Sequence, residues 1–143
     1  MPQAKTIKNF QDVESNFWAY QAIQKNYSYK FLQGFPNNRF YPDGKVQRVQ
    51  VIAALVSGSA LASRNDTREL LFYDDWKDIP EWAITQVATA TPKQLIVNYP
   101  NPKRLNPTQN ATRAEVAVMI YQSMVASGQL PPIKSIYIPH SAP

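Results

Sequence analysis

The sequence predicts an all-α protein: two helix–loop–helix repeats with long Pro-rich loops, packed as a helical bundle. Three observations lead there. Residues recur in register at a separation of 64 and then 65; apolar side chains recur at helical spacing on both sides of each loop; and the loops are dense in Pro, Asn and Gly.

The repeat fixes the organisation. Trp18 and Trp82 lie 64 residues apart, as do Gly34 and Asn98, Phe35 and Tyr99, Pro36 and Pro100, and Asn37 and Asn101. One inserted residue then moves the separation to 65, at which Pro42 meets Pro107, Arg48 meets Arg113 and Val51 meets Val116. Upstream, Asp12-Val13 is matched with Asp78-Ile79, with two residues fewer in the second copy. The predicted boundaries are 1–66 for the first repeat with its N-terminal arm and link, 67–128 for the second, and 129–143 for an extended tail.

In the first copy Ser15 or Asn16 can cap a helix from about Phe17 to Tyr29, with Trp18, Ala22 and Ile23 on one side. The loop Gln33 to Gly44 is rich in turn formers. A helix from about Gln47 to Leu61 follows, with Val49, Ile52, Ala53 and Val56 at i, i+3, i+4 and i+7. The polar link Ser63 to Asp66 leads to Leu70-Leu71-Phe72-Tyr73, which is apolar enough to pack on the core. In the second copy Pro80 suits a first helical turn, and Pro92 makes continuation beyond Thr91 costly. The loop Asn98 to Pro107 holds Pro100, Pro102 and Pro107 and is expected to be extended and stiff. The last helix opens on Thr112-Arg113-Ala114-Glu115, the pattern of a capping box in which Thr112 takes the Glu115 amide and Glu115 reaches back to that of Thr112. Its apolar face is Val116, Met119, Ile120 and Ser123 to Met124, and Gly128 is a natural stop. Ile133 to Ile138 alternates imperfectly, which suggests a short strand or an extended arm.

Composition narrows the function. The 143 residues are 44% hydrophobic, enough for a packed core. Lys and Arg number 15 against 10 Asp and Glu, a net charge of +5 that favours anionic partners. The absence of Cys excludes disulfides, thiolate metal sites and cysteine nucleophiles. His140 is the sole histidine and sits near the end, a poor place for a hydrolytic triad or a zinc site. Asp74, Asp75, Asp78 and Glu81 lack the spacing of a calcium loop, and acidic residues ahead of a helix follow from its dipole. No enzyme, cofactor or metal is expected. Neither repeat joins its helices by the short turn of a helix-turn-helix, so nucleic acid is not the expected partner either. Met1 to Phe10 shows no signal-peptide core and no segment is apolar enough to span a membrane, so work in the envelope implies an exported parent.

Asp-Val or Asp-Ile, then Trp-Ala, then Gly-Phe-Pro or Asn-Tyr-Pro, a further Pro and Thr-Arg-Ala-Glu at a second helix together resemble the S-layer homology repeat. The second copy carries the tetrapeptide intact at Thr112 to Glu115, whereas the first has Gln47-Arg48-Val49-Gln50 and keeps only the arginine. Val97 to Pro102, with Ala111 to Ala117, is similar in wording to cyanobacterial members. The resemblance implies a non-catalytic module that holds an envelope protein to peptidoglycan-linked, acidic polysaccharide through grooves between repeats. The best-understood members use three repeats, so two imply a third repeat elsewhere, a homo-oligomer or a two-repeat variant. A module that packs on other repeats is the alternative function.

The candidate glycan-binding residues are Arg113, Arg48, Trp82, Trp18, Asp12, Asp78, Gly34 and Asn98. A guanidinium at a helix N-terminus can fork onto a sugar carboxylate, or can brace its own loop through carbonyls or an aspartate. The tryptophans can stack on a sugar face or fill the core. Gly34 serves backbone geometry or a close ligand approach, and Asn98 is compatible with a left-handed residue there. Thr112 and Glu115 are expected to be structural caps.

Overall fold

The computed structural model describes residues 7–64 and 66–139; His140 and the end of the tail lie outside the described residues. The chain divides into two compact units, Met1–Lys45 and Val46–Pro143. The described residues form helices and turns with no strand.

In the first unit, α1 spans Tyr20–Ser28. It starts later than predicted and has Ala19 as N-cap with no side-chain cap bond, not Ser15 or Asn16. The preceding residues instead make i→i+3 turns, Phe17 N–H to the Glu14 carbonyl and Tyr20 N–H to that of Phe17, both at 2.9 Å. Those turns bring Phe17 onto a cluster of Phe10, Val13 and Ile23 that Tyr20, Tyr27 and Phe40 also join. Trp18 faces away at 90% exposure, so the predicted Trp18, Ala22, Ile23 face reduces to Ile23. Gly34, at φ +77, backs onto the cluster, and a Cβ there would lie 2.3 Å from Phe10 Cε1. That close approach admits only glycine.

The second unit is built around α2, Arg48–Gly58, which packs against both α3, Ile84–Ala90, and α4, Arg113–Ala126. Because it has neighbours on two sides, α2 buries Arg48 and Leu55 beside the predicted Val49, Ile52 and Val56. The small residues Ala88, Thr89 and Ala90 of α3 are buried, which permits close helix approach. Residues Thr67–Phe72 form a 3₁₀ turn that buries Leu70, while Leu71 stays exposed. Tyr73 is fully buried and its hydroxyl pairs with Thr91 Oγ1 at 2.8 Å. Pro80 precedes a 3₁₀ turn, Glu81–Ala83, that runs into α3. α4 buries Met119 and Gln122 but leaves Ile120, predicted for its core face, 46% exposed. The described part of the tail forms no strand; Asn98 N–H reaches the Tyr137 carbonyl at 2.8 Å and Tyr99 packs edge-on against Tyr137.

All four helices end alike. Left-handed residues Lys30 (φ 65), Ala60 (φ 51), Gln94 (φ 59) and Gly128 (φ 78) follow them. In each case that residue's N–H bonds back three residues, to Tyr27, Ser57, Thr91 and Val125, and the next N–H bonds back five, to Asn26, Val56, Ala90 and Met124. These are Schellman closures, three of them without glycine.

Candidate binding surface

Each loop is held by an aspartate. In the first unit the Asp12 carboxylate accepts the backbone N–H of Phe40 at 2.8 Å and of Tyr41 at 2.7 Å. In the second, Asp75 accepts those of Leu105 at 2.9 Å and Asn106 at 2.8 Å. The parallel extends to Gln11 N–H on the Asn38 carbonyl and Asp74 N–H on that of Lys103. It ends at Tyr41 and Asn106, both left-handed. The structural counterpart of Asp12 is therefore Asp75, not Asp78, which is exposed on the turn Trp76–Asp78. The shared aromatic-x-Asp of Phe10-Gln11-Asp12 and Tyr73-Asp74-Asp75 carries that register in the sequence. Burial raises the Asp12 pKa, but the N–H groups of Phe40 and Tyr41, with Arg39 nearby, outweigh it and leave the carboxyl below its ordinary value.

Arg48 is turned inward, only 3% exposed. Its Nε donates to the Leu105 carbonyl at 2.8 Å and its Nη2 to the Val97 carbonyl at 2.7 Å. Nη2 also meets Asn98 Oδ1, and Nη1 pairs with Glu115. A buried cation is tolerated only when its donors are met by acceptors, and here the loop that holds Val97, Asn98 and Leu105, with Glu115 of α4, supplies them. Asn98 is itself buried, and its Nδ2 donates to the Pro102 carbonyl at 2.8 Å. It has no left-handed φ, so it does not copy the conformation of Gly34.

The capping box is complete at Gln47 and Gln50 in the first copy and only half made in the second, for the same reason. Thr112 Oγ1 accepts the Glu115 N–H at 3.2 Å, as expected, but the Glu115 carboxylate is drawn to Arg48 and does not return to Thr112. In the first copy Gln50, which has no such cation to meet, reaches back to Gln47 N–H at 2.8 Å.

Arg48, Asp12 and Asn98 are thus used internally, while Arg113 is exposed, with no hydrogen bond or ion pair of its side chain among the described residues. Trp18 at 90% and Trp82 at 56% exposure are not core residues. A hollow of about 220 Å³ lies where the end of α2 meets α3, lined by Ser57, Ser63, Thr85, Gln86 and apolar atoms of Val56 and Leu61. Gln86 Oε1 has no hydrogen-bond partner. Grooves between repeats are expected from the resemblance, but none of these lining residues is among the predicted site residues, because the walls come from both copies. Among the described residues no cluster of His, Cys, Asp or Glu could hold a metal, and no helix is long and apolar enough to cross a membrane.

Two loop-bearing helical repeats, each latched by an aspartate, define a helical repeat module. The chain belongs to the S-layer homology domain family, whose model matches residues 9–52 and 72–117. Domains of this family commonly anchor cell-surface proteins to cell-wall polysaccharide. The chain is also similar to an amylopullulanase of Thermoanaerobacterium thermosulfurigenes, 30% identical over 124 residues, 85% of this chain. It spans 6% of that protein's length, and the likeness falls in the S-layer homology part.

Proposed function

We propose that this chain is a non-catalytic anchoring module that binds peptidoglycan-linked, acidic polysaccharide of the cell envelope, of the kind its wording shares with cyanobacterial members. The observation that carries the reading is the groove between α2 of the first copy and α3 of the second. Its hydroxyls and the unpartnered Gln86 carbonyl are suited to sugar hydroxyls, which need many hydrogen bonds in a shallow site. Trp82, on the 3₁₀ turn just ahead of α3, offers an exposed ring on which a sugar can stack. Trp18 is the equivalent exposed ring of the first unit. The net charge of +5 favours an anionic polymer.

The test is retention on purified sacculi before and after the attached polysaccharide is stripped. Retention is expected to disappear on stripping and to fall about ten-fold in Trp82→Ala, a loss in the range of a stacking contact, with the thermal midpoint unchanged. Retention indifferent to stripping rejects the reading.

A further inference from the structure

The groove between α2 and α3 lies wholly within the unit Val46–Pro143, and the chain that leaves α2 forms one edge of it. Ala60 closes α2 in the left-handed region, and Leu61 N–H bonds back to the Val56 carbonyl. That closure turns the link so that Ala60, Leu61 and Ser63 line the groove. Arg64 comes next, and its backbone N–H donates to Thr89 Oγ1 at 2.9 Å. Thr89 is a fully buried residue of α3 that lines the same groove, and its hydroxyl donates in turn to the Thr85 carbonyl at 2.8 Å. The Arg64 backbone is thereby fixed at the rim.

Among the described residues, none that lines the groove is charged. Hydroxyls and an amide can satisfy sugar hydroxyls, but they do not favour an acidic polymer over a neutral one, because an anion drawn out of water needs a compensating cation. The net charge of +5 raises attraction generally and selects no position. The arginines next along the chain are Arg64 and Arg68. Arg68 is committed, since its Nε and Nη2 fork onto the Asp66 carboxylate at 2.9 and 2.7 Å. Arg64 is held loosely: its ion pair with Glu69 spans 3.9 Å, beyond hydrogen-bond range, and its side chain is 51% exposed. A guanidinium in so open a pair exchanges one carboxylate for another at little cost.

We infer that Arg64 sets the charge specificity of the groove: its guanidinium leaves Glu69 and forks onto a carboxylate carried by the sugar seated between α2 and α3. The inference rests on the anchoring reading and adds to it the group recognised and the residue that recognises it. A carboxylate is the class that fits, because it takes the place of the Glu69 carboxylate, and the planar fork sets two N–H donors against two coplanar oxygens. The sugar hydroxyls fall to Ser57, Ser63, Thr85 and Gln86.

The probe is polysaccharide released from purified sacculi, either native or with its carboxyls reduced to alcohols by carbodiimide and borohydride, titrated calorimetrically into the whole chain. The unaltered chain is expected to bind the native polymer at least about ten-fold more tightly than the reduced one, the range of a hydrogen bond to a charged group. Arg64→Gln keeps the backbone N–H on Thr89, so its thermal midpoint is expected to stay unchanged. It is expected to bind the two polymers alike, about ten-fold more weakly than the unaltered chain binds the native one. Arg68→Gln removes the same unit of charge from the neighbouring position and is expected to preserve the preference. Equal losses in the two variants, a preference that survives in Arg64→Gln, or no preference in the unaltered chain overturns the inference and leaves the anchoring reading standing. Binding of neither polymer by the unaltered chain overturns both.

Discussion

Replacing Arg48 with Met keeps much of the side chain's length and apolar stem but removes the charge and all four hydrogen bonds of the guanidinium. What remains is the Glu115 carboxylate, Asn98 Oδ1 and the carbonyls of Val97 and Leu105. Glu115 is 23% exposed through its side chain and can turn to water. Val97, Asn98 and Leu105, at 8%, 2% and 0% exposure, cannot. A buried polar group left unpaired costs about 1–3 kcal/mol. Three such groups, with partial relaxation of the loop, give a loss of about 3–5 kcal/mol, the range found when one partner of a buried pair is removed. At a urea slope of about 2 kcal/mol per molar, the unfolding midpoint followed by Trp fluorescence falls by about 2 M. Arg113→Met, the same change at the equivalent exposed position, is expected to stay within about 0.5 kcal/mol. In the double variant with Glu115→Gln the losses are not additive, since both substitutions disrupt one network. A loss below about 1 kcal/mol for Arg48→Met, or equal losses at the two arginines, refutes the bracing role.

Three further outcomes follow from the same geometry. Gly34→Ala places a methyl against Phe10 at a left-handed position and is expected to cost about 2–4 kcal/mol by urea denaturation, a cost that an unperturbed midpoint would disprove. Ala60→Gly relieves a left-handed alanine after α2 and is expected to stabilise by about 0.5–1 kcal/mol, net of the flexibility glycine adds to the unfolded chain; a lower midpoint contradicts it. The Asp12 carboxyl has a folded pKa below its unfolded one, so its contribution is present above about pH 4 and lost as pH falls through the folded value. Acid titration of Asp12→Asn is expected to show a shallower loss of structure on that limb, and coincident curves for the two proteins rule it out.

The repeat and its helices were legible because their signals are local. The stretch Val49, Ile52, Val56 announces an amphipathic helix whatever surrounds it, and Pro92 and Gly128 mark ends through their own backbone chemistry. Even so, Lys30, Ala60 and Gln94 close helices that no glycine announces, because hydrogen bonding at a helix end can hold an ordinary residue in the left-handed region. The Asp12 counterpart was misplaced because Asp75 and Asp78 are three residues apart in an acidic stretch, and only the two N–H donors on Asp75 distinguish them.

Alone, the sequence determined two diverged copies of one family's repeat, a helical chain without cysteine, and a pair of equivalent arginines. Tertiary structure decided what those arginines do. Arg48 finds its acceptors at Leu105, Glu115, Val97 and Asn98, between 49 and 67 residues away. Identical residue types at equivalent positions therefore diverge, one buried and one exposed, because the acceptors of a guanidinium are supplied by whichever loop packs over it, and periodicity within a helix carries no information about that loop.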